Sequence, residues 1–119
     1  MPQAQKYLGG CHCGKVRYEA TADLSRVVEC NCSFCSKRAH ALTFVPPEQF
    51  KLLSGEAALT DYQFGEHNRH HFFCSTCGIG PFGRGTQPDG RQMIAVNVRC
   101  LDGVDIETLT VGMFDGKSL

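Results

Sequence analysis

The sequence carries no excess charge of either sign. Twelve basic and twelve acidic side chains balance, and the pI is near 6.9. That argues against a nucleic-acid partner and against an anionic membrane surface, both of which select for clustered lysine and arginine. No apolar run approaches the roughly 18 residues that a spanning helix needs. Met1 to Leu8 lack the charged-then-apolar layout of a secretory signal. There is no internal repeat, no low-complexity stretch and no linker, so 119 residues read as one domain, 1–119, with a modest core. These absences point to a reducing, cytoplasmic setting, where clustered cysteines serve as metal ligands more often than as disulfides. A disulfide framework is further disfavoured because two cysteines one residue apart are poorly placed to bridge each other.

Against that plain background, eight cysteines stand out. Seven fall into three tight groups: Cys11 and Cys13, then Cys30, Cys32 and Cys35, then Cys74 and Cys77. Zinc takes four thiolate or imidazole ligands in a tetrahedron, and structural sites fill all four positions. The two pairs together make one closed site. Gly14 and Gly78 directly follow the second cysteine of each pair, where a metal knuckle bends the backbone so that its N–H groups meet sulfur. Closing the loop of about 60 residues between the pairs costs on the order of 3–4 kcal/mol. Zinc binding coupled to folding supplies about 10–16 kcal/mol, so the metal wins. A thioredoxin-like role for Cys74 and Cys77 would need a helix start in a βαβ setting, which this sequence does not offer.

The triad of Cys30, Cys32 and Cys35 offers only three thiolates, which leaves one coordination position for another molecule. Lys37 and Arg38 follow it directly. They either offset the net negative charge of a three-thiolate zinc and grip carboxylates of an incoming molecule, or form a solvated turn. Cys100 is the remaining cysteine. Along Met93 to Leu101 a strand alternation groups Cys100 with Ile94, Val96 and Val98, and places Asn97 and Arg99 on the opposite face. Cys100 then reads as a core residue rather than a fourth ligand. His70 and His71 are adjacent on a predicted strand and face opposite ways. His12 lies between two ligands, and His40 and His67 have no spacing partner. None of the five is assigned a catalytic role from the sequence.

The rest of the chain is punctuated by Gly and Pro into short pieces. Lys15 to Ala20 alternates, with Val16, Tyr18 and Ala20 on one face. Strands are expected over Arg26–Asn31, Ala41–Val45, Phe50–Leu53, Leu59–Phe64, Arg69–Phe73, Pro81–Arg84, Gln92–Arg99 and Leu109–Phe114. The segments at 50–53 and 59–64 look joined around Ser54 and Gly55. A Pro-Asp-Gly turn within Gln87–Gly90 joins the strands on either side of it. Only Ser33–His40 and Pro47–Phe50 have room for helical turns. The pattern is all-β.

Four segments carry a family resemblance. Gly-Gly-Cys-His-Cys-Gly-Lys-Val-Arg-Tyr, Cys-Asn-Cys-Ser-Phe-Cys-Ser-Lys-Arg, Phe-Cys-Ser-Thr-Cys-Gly and Val-Asn-Val-Arg-Cys-Leu-Asp-Gly resemble the glutathione-dependent formaldehyde-activating enzyme family, whose domain the centromere protein V group shares. The resemblance spans about Gly9 to Phe114. It implies an Mss4-like fold of short antiparallel sheets around a structural zinc held by Cys11, Cys13, Cys74 and Cys77, with a second zinc on Cys30, Cys32 and Cys35. It also implies a carbon–sulfur lyase or synthase that adds glutathione to formaldehyde to give S-hydroxymethylglutathione. In that reading the partners are a small thiol and a small aldehyde, with Asn97 or Arg99 stabilising the developing alkoxide. The alternative is a non-catalytic zinc-binding interaction module, because one fold hosts many functions. This chain is shorter than the family's founding enzymes and has less sequence around the motifs to build a glutathione pocket.

Overall fold

The computed structural model describes residues 4–38, 40–63, 69–87 and 89–114; His67, and the Phe64 and Pro88 of the expected strand and turn, lie outside them. The described residues form ten strands, one short α-helix and four single 3-10 turns. Two sheets result.

The smaller sheet has the order β1-β2-β5. Its centre is β2 (Arg17–Ala22), which carries the expected alternation: Val16, Tyr18 and Ala20 are fully buried while Arg17 and Glu19 are half-buried. On one side β2 pairs antiparallel with β1 (Gln5–Gly10), on the other with β5 (Phe50–Ser54). β1 was not anticipated. Its two apolar side chains, Tyr7 and Leu8, are adjacent rather than alternating, so the pairing with β2 and not a local pattern makes it a strand.

The larger sheet has the order β10-β3-β4-β9-β8-β7-β6. These strands are β3 (Val27–Cys30), β4 (Leu42–Val45), β6 (Leu59–Tyr62), β7 (Arg69–Cys74), β8 (Phe82–Thr86), β9 (Gln92–Asn97) and β10 (Val111–Phe114). Pro46 and Pro47 end β4 and open a 3-10 turn at Pro47–Gln49, as Pro favours. β5 and β6 are joined around Gly55 but belong to different sheets, so they form no hairpin. Between β8 and β9 the N–H of Gly90 donates to the carbonyl of Gln87, closing the expected turn.

Two expectations are corrected. β10 runs parallel to β3, so the sheets are not wholly antiparallel. β9 also ends at Asn97, and Val98–Cys100 form a 3-10 turn. The Asn97 side chain caps that turn by accepting a hydrogen bond from the N–H of Arg99, and the turn breaks the alternation. Asn97 is therefore buried beside Val96 and Val98, while Arg99 is exposed and Cys100 half-buried.

The core lies where the sheets meet. Tyr18 packs on Phe50 and Phe82 with ring centroids 5.0 and 5.8 Å apart, and Phe82 also meets Phe72 at 5.2 Å. The Tyr18 hydroxyl donates to the Pro81 carbonyl at 3.3 Å, which satisfies its one buried polar group. Each such ring contributes about 1.5–3 kcal/mol through burial alone.

Candidate metal centres

The four-cysteine cluster draws on both sheets. Cys11 and Cys13 follow β1, and Cys74 is the last residue of β7, with Cys77 just beyond it. Their sulfurs all lie within 4.8 Å of one another. The Cys11–Cys13 and Cys13–Cys74 sulfur pairs are 3.6 and 3.7 Å apart. A disulfide would need about 2.05 Å, whereas a tetrahedron with zinc–sulfur bonds of about 2.3 Å has edges of about 3.8 Å. The spacing therefore fits a metal and excludes a bridge. Cys11 and Cys74 are buried at 7% and 0% exposure, so unmetallated thiols here would leave poorly satisfied polar atoms in the core.

The local backbone is shaped for sulfur. Gly14 and Gly78 have φ of 85° and 80°, the left-handed bend that a side chain resists. The N–H of Val16 donates to the Cys11 sulfur at 3.4 Å. Backbone N–H groups of Ile79 and Cys13 pull the Cys77 thiol down to about 6. Such donors favour thiolate, the form a metal takes.

The triad is local. Cys30 ends β3, Cys32 sits in the following loop, and Cys35 opens the helix α1 (Cys35–Arg38). Their sulfurs also lie within 4.8 Å of one another, and no other His, Cys, Asp or Glu among the described residues joins the group. The N–H of Cys35 donates to the Cys32 sulfur at 3.3 Å, and that of Ser36 to the Cys32 carbonyl at 2.9 Å. Burial opposes ionisation of Cys32, but the backbone donor at Cys35 and the neighbouring thiols outweigh it and lower its pKa. Cys35 is more deeply buried, and that burial pushes its thiol up. Cys100 is not among these sulfurs; it lies at the end of the 3-10 turn, where burial pushes its thiol up to about 11.

Phe34, inside the triad loop, is the residue that sequence reasoning passed over. Its ring stacks on Tyr62 of β6 at 5.5 Å and meets the His71 ring of β7 at 4.1 Å in a tilted contact. The Arg38 guanidinium lies over the same ring, 4.9 Å from its centroid. Phe34 and Arg38 are four apart, so the helical turn stacks them. His70 faces the other way and pairs with Asp61 at 2.6 Å, so the two histidines do point to opposite faces.

Two cavities flank Arg38. The first, about 550 Å³, is lined by Ser33, Phe34, Lys37, Arg38, Tyr62 and Phe73, beside the triad loop. The second, about 570 Å³, includes Arg38, His40, Asn97, Arg99 and Cys100. Lys37 and Arg38 are thus together at the first cavity. Asn97 and Arg99 line the second instead, and the Asn97 amide is committed to the backbone, donating to the Gly80 carbonyl at 3.0 Å.

The sequence profile of the Glutathione-dependent formaldehyde-activating enzyme family matches residues 6–113. The chain belongs to that family. Its two-sheet architecture around the cysteine clusters is the Mss4-like fold. The crystal structure of a Rhodobacter sphaeroides protein superposes with a TM-score of 0.81 at 31% sequence identity, covering 92% of this chain and all of the other. Membership connects the chain to glutathione-related, formaldehyde-activating chemistry at the level of the family. Both cysteine clusters are able to hold a metal ion, consistent with zinc. No helix among the described residues is long and apolar enough to cross a membrane.

Proposed function

We propose that this chain is a single zinc-binding domain acting as a cytoplasmic carbon–sulfur lyase or synthase on thiol–aldehyde adducts, with glutathione the fitting thiol and formaldehyde the fitting aldehyde. In this reading Cys11, Cys13, Cys74 and Cys77 hold a structural zinc, and Cys30, Cys32 and Cys35 hold the second. The observation that carries the reading is the difference in ligand number between two sulfur clusters of similar spacing, with a cation-lined cavity beside the smaller one.

When bound, zinc on the triad supplies a Lewis-acid position that favours the thiolate form of an incoming thiol. The chain supplies the rest. Lys37 and Arg38 hold carboxylates of the thiol compound, Arg38 by the planar fork that suits them. Phe34, Tyr62 and Phe73 exclude water from one wall of the cavity, which orients sulfur beside the carbonyl. The new bond joins sulfur to the aldehyde carbon, the carbonyl π pair moves to oxygen, and the proton lost from the thiol ends there as the hydroxyl. Arg38, half-buried at the cavity wall, is better placed than Arg99 or Asn97 to steady the developing oxyanion.

Calorimetry with glutathione and with a neutral thiol tests this. Glutathione is expected to bind once, to release a proton and to bind more tightly as pH rises toward the free-thiol value of about 8.5. Cys32→Ala should abolish binding, and Lys37→Ala should weaken glutathione more than the neutral thiol. Equal glutathione affinity in wild type and Cys32→Ala would remove the triad from the mechanism and favour a non-catalytic zinc-binding interaction module.

A further inference from the structure

The second cavity holds His40, which the thiol chemistry does not use, and shares Arg38 with the first cavity. His40 contributes two ring nitrogens that are buried without a hydrogen-bond partner among the described residues. Leaving such atoms unsatisfied in the interior is costly, because they lose their hydrogen bonds to water. Arg38 is half-buried, and no carboxylate among the described residues lies within ion-pair distance of it. The acid at the cavity, Asp102, is already engaged by Arg17, and Arg99 adds a second cation to the wall.

The Arg38 guanidinium comes close to the backbone at Gly80. A Cβ on Gly80 would lie 1.2 Å from an Arg38 terminal nitrogen. Any side chain at position 80 would push the charged fork away from that backbone. Arg38 and His40 sense each other electrostatically: after burial, the Arg38 charge is the next largest influence lowering the imidazole pKa to about 4. At neutral pH the ring is therefore uncharged, with one N–H to donate.

We infer that this second cavity binds the carboxylate of a small molecule, held by the Arg38 guanidinium and the His40 imidazole N–H and distinct from the thiol position at the triad. A volume near 570 Å³ suits a small-molecule site. The Asn97 amide, already bonded to Gly80, shapes the wall and leaves the ligand to Arg38 and His40. Arg38 faces both cavities, so occupancy of one bears on the position of the fork in the other.

The test uses the zinc-loaded full chain and carbon-13-labelled acetate, followed by NMR titration at constant ionic strength, with acetamide as the neutral isostere. Saturable, one-site binding of acetate but not acetamide is expected. His40→Gln and Gly80→Ala should each weaken it about tenfold or more, as expected for loss of a hydrogen bond to a charged group. Gly80→Ala keeps the Arg38 charge and only displaces it, because the clash is with the far end of a flexible side chain. Lys37→Ala, confined to the first cavity, and Cys32→Ala, at the triad, should leave acetate binding unchanged. The site assignment is overturned if acetate fails to saturate, or if its affinity survives in both His40→Gln and Gly80→Ala. Loss of binding in Cys32→Ala with retention in His40→Gln would place acetate on the triad metal and overturn it equally. Loss of thiol binding with acetate binding intact would refute the proposed reaction and leave this site standing.

Discussion

The four-cysteine and three-cysteine clusters have similar sulfur spacing but draw on the chain in opposite ways. The larger cluster joins residues 61 positions apart and ties the end of β1 in one sheet to the end of β7 in the other. The triad lies within six consecutive residues and joins only the end of β3 to one helical turn. A metal in the first offsets a long loop closure and fastens two sheets together. In the second it orders a short loop that Phe34 already pins against Tyr62 and His71. The contrast teaches that ligand number and loop length work together: under the proposed function, the cluster of four sulfurs is the one the fold needs, and the cluster of three leaves a coordination position for chemistry.

The largest effect should come from breaking the first cluster. Cys74→Ser removes a fully buried sulfur of the four-cysteine cluster, at the end of β7. It should abolish soluble, cooperatively folded protein, because metal-binding energy there is folding energy. An unchanged melting temperature in Cys74→Ser would reverse the roles assigned to the two clusters. Breaking the triad should be milder. Cys32→Ala is expected to lose one of two metal equivalents by elemental analysis while keeping the native circular dichroism spectrum. Unfolding of that variant would show that both clusters are structural.

How much of this contrast could be read before the structure depends on range. The buried face of Val16, Tyr18 and Ala20 follows from alternation, and the cluster of Cys11, Cys13, Cys74 and Cys77 from spacing and the following glycines. Both signals are local or set by ligand chemistry. β1 was invisible because its strand character comes from pairing with β2. Asn97 and Arg99 were placed on one face because alternation was carried past the point where Asn97 caps a 3-10 turn. Arg38 showed its charge but not its burial, which depends on Gly80, 42 positions away along the chain. The Phe34–Arg38 stack had a readable signal in its four-residue spacing, whereas Tyr62 has no sequence mark linking it to the triad.

Smaller changes sharpen the comparison. Cys100 lines the second cavity with Cys11 and belongs to neither grouping of sulfurs. Cys100→Ala should cost no more than about 1–2 kcal/mol in urea unfolding and keep both metals. Loss of a metal would make it the triad's fourth ligand and close the position assigned to thiol. Least in size is a pH effect. Burial holds His40 and His71 to about 4, below the ordinary 6.5. Unfolding frees both to take up protons, so their contribution to stability is present above about 6.5 and is lost as pH falls toward 4. Comparing urea unfolding at pH 7 and pH 5, His40→Gln should lose less stability than wild type over that interval. An equal loss would show that His40 is not held neutral.

The inequality of the two clusters is tested most directly by titrating the zinc-loaded protein with a chelator while recording released metal and circular dichroism together. One equivalent should leave at low chelator concentration with the β-sheet signal unchanged and with glutathione binding lost. The second should leave only as the sheet signal collapses. Release of both equivalents in a single step, coincident with unfolding, would contradict the division of one cluster for the fold and one for the chemistry.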